Sequence, residues 1–346
     1  MRVIEGPYLK DLLAQPEAIR ATAEALARGE AEASVAALLE AARPPRIVLT
    51  GMGASLHALH PLLLELLSRG VEARIEETSE LLYYRRSLLA PGTLVVAVSQ
   101  SGESAELVRL AKLWRNGWRM LAVTNCAEST LAAKADAAVT LAAGAEHSVS
   151  CKTYVATLAA LAWLGGILAG RRNAAKRALR EMLDAAGSMA AYLSHWRRHT
   201  ATLARQLEGV RYLALAGRGP SLAAALTGGL IVKEAAHFPA EGMSAAAFRH
   251  GPLEMCGPGA AVVVFEGADK TAELNRGLAR DVRRAGGKAV LVGPGGRGAG
   301  KLPAASPRAL PLLEILPVQM TSLALAALAG REAGRFERAA KVTRTE

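Results

Sequence analysis

Aromatic side chains are scarce in this chain of 346 residues: four Phe, four Trp and six Tyr, 4% of the total, against 51% apolar residues. Ala and Leu must fill the core, which suits long helices packed on a sheet. Cysteine is scarcer still. Cys126, Cys151 and Cys256 lie far apart and form no C-x-x-C pair. That excludes a disulfide framework and a zinc knuckle, and makes a reducing cytoplasm the expected compartment. No N-terminal stretch carries the charged, apolar and cleavage regions of a secretory signal. The apolar run Tyr154 to Gly170, set between Lys152 and Arg171–Arg172, is shorter than the roughly 20 residues that span a bilayer. A buried helix, at the core or at a subunit interface, is expected there, and no membrane partner. Net charge is +11, but Arg and Lys are scattered through helical stretches. With no recognition-helix module and no basic run interleaved with aromatics, no nucleic-acid partner is expected. The charge reads as a solvated surface that also draws an anionic substrate.

What is present is a repeat. The strand-like run Arg46 to Thr50 leads into Gly51-Met-Gly53-Ala-Ser55, and the run Tyr212 to Ala216 leads into Gly217-Arg-Gly219-Pro-Ser221, 166 positions later. Each turn opens an alanine- and leucine-rich helix. Leu94–Val98 corresponds to Ala261–Phe265, and Arg119–Asn125 to Lys288–Pro294. Short apolar strands alternating with helices indicate parallel sheets covered on both faces. The expected fold is α/β, with two tandem doubly wound, flavodoxin-like parallel-sheet domains at 41–185 and 205–346. A helical segment, 1–40, precedes them, and Arg171 to Leu207 bridges them. Gly293 to Pro307 reads as a surface loop.

The strongest local signal is Leu94 to Ser104, LVVAVSQSGES. A buried strand ends in three hydroxyls and a glycine at the mouth of a helix. Free N–H groups and the positive end of the helix dipole receive a phosphate there. The loop lacks the lysine of a nucleotide-binding P-loop, and both Gly-x-Gly turns lack the third glycine of a dinucleotide fingerprint, at Leu56 and Leu222. The serines lack a G-x-S-x-G elbow. One phosphate on a small molecule is the expected ligand. The matching stretch of the second half, Glu266-Gly-Ala-Asp269, is acidic and repels phosphate, so the first half alone should bind it. In open parallel sheets ligands sit beyond the carboxyl ends of the strands, which puts Gly53–Ser55 and Ser99–Ser104 on one rim.

Groups able to do chemistry lie later. Glu234, next to the apolar stretch Gly228–Val232, can shuttle a proton or be an exposed helix end. His250, set before Gly251–Pro252, can act as acid or base or be structural. Lys341, near the C-terminus, reads as solvated in a frayed tail. His195 and His199 have helical ligand spacing without a third ligand, and no metal is expected. His57 and His60 are expected to face solvent or an interface.

These residues converge on a resemblance. Ser99–Ser104, Lys233–Glu234, Ala240–Glu241, His250–Pro252 and Ala340–Lys341 resemble, in order and spacing, motifs of the sugar isomerase (SIS) superfamily. Within it they are similar to the tandem-domain isomerase half of glucosamine-6-phosphate synthase and to the stand-alone amino-sugar-phosphate isomerases and deaminases. The resemblance implies that Ser99, Gln100, Ser101 and Ser104 hold the phosphate, and that Ala54, Ser55 and Ser150 line the sugar site. It implies that Glu234 moves the proton between C1 and C2, that His250 helps open the ring from a neighbouring subunit, and that Lys341 closes over the sugar. It implies no cofactor and a homodimer with a shared site. Met52, Ala54 and Ile231 depart from the synthase pattern, Ile231 by replacing a lysine. With no glutaminase half in the sequence, glutamine is not the expected nitrogen source. The expected function is isomerisation or deamination of an amino-sugar phosphate such as glucosamine 6-phosphate. A non-amino sugar phosphate isomerase and a phosphosugar-sensing regulatory protein are the alternatives.

Overall fold

The computed structural model describes residues 3–42, 44, 46–113, 116–338, 340–343 and 345. Helices α1 (Pro7–Leu13), α2 (Gln15–Ala27) and α3 (Glu30–Ala42) come first. Then follow β1 (Arg46–Gly51), α4 (Gly53–His57), α5 (His60–Leu67), β2 (Glu72–Glu77), α6 (Thr78–Tyr83), β3 (Thr93–Ser99) and α7 (Ala105–Lys112). Next are β4 (Arg119–Thr124), α8 (Thr130–Lys134), β5 (Ala137–Thr140), α9 (Lys152–Leu168), α10 (Arg172–Leu193) and α11 (Trp196–Leu207). The remainder comprises β6 (Tyr212–Gly217), α12 (Leu222–Ala236), β7 (Ala240–Ser244), α13 (Ala245–Arg249), β8 (Ala260–Phe265), α14 (Asp269–Arg284), β9 (Lys288–Val292) and α15 (Leu310–Leu328).

Two parallel sheets form, one in each compact unit. The first has the order β2-β1-β3-β4-β5, the second β7-β6-β8-β9. In the first, Val48, Val95, Ala97, Met120 and Ala122 face one way, onto Leu81, Leu82, Leu107, Leu110 and Leu131 of α6, α7 and α8. The intervening residues Leu49, Leu94, Val96 and Leu121 are as deeply buried on the other face. Burial on both faces is why β3 reads as an unbroken apolar run rather than an alternation. In the second sheet Ala214, Ala216, Val262 and Val264 pack on Phe248 of α13 and on Leu278 and Val282 of α14. The edge strands β2 and β7 have no apolar run, and their pairing with β1 and β6 is what defines them.

The units do not follow the expected boundaries. The first-sheet unit comprises 17–146, 151–183 and 338–346, and the second-sheet unit 1–16, 147–150 and 184–337. Long-range hydrogen bonds explain the exchange of segments. Thr22 Oγ1 accepts from Ala142 N at 3.2 Å, which ties the early helices to the first sheet. Tyr8 and Ser322 hydroxyls meet at 3.1 Å, which ties α1 to α15. The tail joins the first-sheet unit because Ala105 N donates to Thr343 O at 3.1 Å and Lys341 Nζ donates to Glu146 Oε2 at 3.0 Å.

One smaller expectation changes. The segment 293–307 is only partly surface: Ala299 and Leu302 are buried, and Tyr192 OH donates to Ala299 O at 2.7 Å. His57 and His60 are half-buried, and burial lowers the pKa of His60. His199 stacks on Tyr192 with ring centroids 4.2 Å apart, so it is a packed ring. Among the described residues, α15 is the one helix long and apolar enough to cross a membrane, and it is buried inside the fold.

Candidate functional site

In the first sheet the chain passes from β1 to β2 on one side and then crosses back to β3 on the other. This switch point leaves a crevice outside the carboxyl ends of β1 and β3. The register pairs Gly51 with Val98. A Cβ on Gly51 would stand 2.9 Å from Val98 O, so the close approach of the two strand ends needs glycine there. Ala54 and Ser55 lie in α4, directly after β1, while Ser99 ends β3 and Gln100–Ser104 follow it.

The serine loop is braced from within. Gly102 N donates to Ser99 Oγ and Glu103 N to Ser101 Oγ, each at 3.1 Å. The Ser99 and Ser104 hydroxyls stand 3.4 Å apart. Ser104 is the N-cap of α7, yet its hydroxyl makes no capping bond. The loop is also braced from the β4–α8 turn. Asn125 N donates to Gln100 O at 3.0 Å and Leu131 N to Gly102 O at 3.1 Å. The Glu103 carboxylate is turned to the start of α8, where Thr130 N and, at 3.0 Å, Thr130 Oγ1 donate to it.

Gly102 has φ +65°, and a Cβ there would lie 2.1 Å from Ser129 Oγ. Ser129 Oγ in turn caps α8, accepting from Ala132 N at 3.3 Å. Gly102→Ala therefore strains the backbone and displaces a cap, and should cost about 2 kcal/mol of stability. Urea unfolding measures this, and titration with inorganic phosphate should show weakened binding in the folded variant.

Lys341 is not the solvated tail residue that its position suggests. Its side chain is 24% exposed and its ammonium pairs with Glu146, whose side chain is fully buried. Glu146 escaped the sequence reading, because nothing local marks a carboxylate that caps a helix beginning six residues later. Its Oε1 accepts from Cys151 N at 2.9 Å and Thr153 N at 3.0 Å, and its Oε2 from Thr153 Oγ1 at 2.7 Å.

Of the expected site residues, Ser99, Gln100, Ser101, Ser104, Ala54, Ser55 and Lys341 share the first-sheet unit, while Ser150, Glu234 and His250 belong to the second. Glu234 is half-buried in the last turn of α12, and its neighbour Lys233 lies 3.5 Å from Glu241 Oε2. His237 closes that helix in the left-handed conformation, φ +50°. His250 is exposed at the end of α13, before Gly251 at φ +129°. Ser150 is half-buried. Among the described residues, no group of three or more His, Cys, Asp or Glu could hold a metal ion.

The second sheet has the same switch point, between β6 and β8, but there the chain fills it. Glu314 reaches in from α15 and is 1% exposed. Its Oε1 accepts from Ser221 Oγ at 2.9 Å, and the backbone N–H of Gly267 also donates to the carboxyl. Burial pushes the carboxyl up to about 8, against these two bonds. Glu266, whose acidity was expected to exclude phosphate, is turned aside instead, onto Arg276 and Gly295 N. A neutral internal carboxyl, rather than charge repulsion, occupies the second crevice.

Comparison with known proteins agrees with this architecture. The SIS domain family matches residues 40–165 and 206–293. The glutamine–fructose-6-phosphate aminotransferase [isomerizing] of Pyrococcus horikoshii is 30% identical over 98% of this chain and 57% of its own length. The chain thus spans a little over half of that relative. The C-terminal domain of glucosamine-fructose-6-phosphate aminotransferase from Francisella tularensis superposes with a TM-score of 0.84 at 23% identity, over 96% of this chain and 98% of that one. Glucosamine-6-phosphate deaminase from Thermotoga maritima superposes with a TM-score of 0.75 at 17% identity, over 94% of this chain and 96% of that one. With two family matches laid on two parallel sheets, each with its strand–turn–helix rim, this chain belongs to the SIS domain family.

Proposed function

We infer that the protein is a phosphosugar aldose–ketose isomerase or deaminase that acts on an amino-sugar phosphate such as glucosamine 6-phosphate. The observation that carries this reading is the loop after β3. It presents the Ser99, Ser101 and Ser104 hydroxyls at a helix N-terminus, with the carboxylate of its one acid, Glu103, turned onto the start of α8. Such a loop takes a phosphate without a cation of its own. The phosphate supplies remote binding energy and sets the register of the sugar. Ala54, Ser55 and Ser150 then line the sugar. Glu234 carries the proton between C1 and C2, beside a carbonyl exposed by ring opening. The exposed His250 assists that opening from a second copy of the chain, which makes the working form a homodimer. Lys341 closes over the sugar. An amine at C2 becomes a C2 imine through the enolamine formed by the same proton transfer, and water then replaces the nitrogen, which leaves as ammonia; amination is the reverse. The names of the relatives, an aminotransferase [isomerizing] and a glucosamine-6-phosphate deaminase, support the amino-sugar class.

Purified protein given glucosamine 6-phosphate should release ammonia or form a ketose phosphate. Ketose formation from hexose phosphates alone, without ammonia from the amino sugars, would replace the amino-sugar reading by the plain isomerase. No turnover of any hexose or hexosamine phosphate would refute both.

A further inference from the structure

Glu146 has no part in the reaction as described, yet it holds Lys341. Its carboxylate divides its work between its two oxygens. Oε1 receives the first backbone N–H groups of α9, from Cys151 and Thr153, and Oε2 receives the Thr153 hydroxyl and the Lys341 ammonium. One oxygen therefore belongs to the helix cap, and the other faces the tail. The carboxylate is fully buried, whereas the ammonium that it holds keeps 24% of its side chain exposed. The anchor is thus rigid, and the anchored group remains reachable. A second tie lies two residues on, where Thr343 O accepts from Ala105 N, the first residue of the helix behind the serine loop. The tail is fastened at both ends of the same unit's candidate site, to the cap of α9 and to the start of α7.

We propose that Glu146 is the positioning residue for Lys341: it sets where the tail ammonium stands and thereby controls its reactivity. The catalytic half of this proposal rests on the phosphosugar reading, whereas the latch itself does not.

Glu146→Gln separates the two tasks of the carboxylate. The amide oxygen, in the place of Oε1, still accepts from Cys151 and Thr153. The amide nitrogen, in the place of Oε2, meets Lys341 donor to donor, while the Thr153 hydroxyl can turn to accept. The helix cap survives and the latch is lost. Two readouts follow on the full chain. Acetylation of Lys341 by acetic anhydride, followed by mass spectrometry, should run several-fold faster in the variant, whatever the substrate. With glucosamine 6-phosphate, kcat should fall roughly 100-fold while KM stays within a factor of about two, because a misplaced group costs rate rather than phosphate binding. Glu146→Asp, which keeps the charge one methylene short, should be intermediate in both, and it decides the matter if the amide variant does not fold. Unchanged labelling of Lys341 overturns the latch. Faster labelling with an unchanged kcat overturns the positioning role. If neither form turns over any phosphosugar, the function is wrong, and the labelling rate alone then judges the latch.

Discussion

Glu314→Gln is expected to abolish a fall in stability that the native protein shows toward alkaline pH. The Glu314 carboxyl is buried, and its pKa stands at about 8 in the folded chain against an ordinary 4.5. Between those values the folded protein keeps a proton that the unfolded chain has released. The stability this gives is complete below the lower value and is lost as pH rises through the upper one. At about 1.4 kcal/mol per unit, the native protein should lose roughly 3 kcal/mol relative to the variant between pH 5.5 and pH 8. Glutamine keeps an oxygen to accept from Ser221 Oγ and Gly267 N and has no charge to bury. Urea unfolding of both proteins across this range is the measurement, and their difference cancels every other titrating group. Parallel curves would mean that Glu314 is ionised in the fold and that its charge has a partner.

Glu234→Gln is expected to remove most of the activity while leaving the fold and phosphate binding in place. The residue is half-buried in the last turn of α12, where an amide of the same shape can be accommodated. A positioned acid–base group contributes about 10²–10⁴ in rate. In the proposed reaction kcat should therefore drop by roughly 10³, with KM nearly unchanged, since the phosphate is held elsewhere. Turnover of glucosamine 6-phosphate by both proteins, with thermal melting as the check on folding, measures it. A kcat within a few-fold of the native value would assign the proton transfer to another group.

The legible parts of this protein were those whose signals are local. The run Leu94–Val98 followed by Ser-Gln-Ser-Gly reads as strand, turn and helix mouth because burial on both faces and the turn chemistry lie within eleven residues, and β3 and α7 are found there. The paired Gly-x-Gly-x-Ser turns after β1 and β6 carried the tandem arrangement for the same reason. β2, with its sequence EARIEE, and β7, with AEGMS, carried no such signal. They are strands because β1 and β6 offer them an edge to pair with.

The site divides in the same way. Its hydroxyl-rich loop could be read from the sequence, since hydroxyls, glycine and helix start are contiguous. The turn of Glu103 onto α8 could not, since its partner Thr130 is 27 residues away. Nor could the tail, which chain position alone marked as frayed. It is held because Glu146, 195 residues before Lys341, is buried beside it. The second crevice looked excluded by an acidic loop, and it is in fact filled from α15 by a residue 93 positions after Ser221. By itself, then, the sequence determined most of the element types, the repeat and the hydroxyl-rich loop, because periodicity, turn chemistry and helix-end polarity act over a few residues. The tertiary structure alone decided what fills the second crevice and what holds the tail lysine. Those outcomes depend on buried charges meeting distant donors, and a buried carboxyl must find its partner or its proton wherever the fold has brought them.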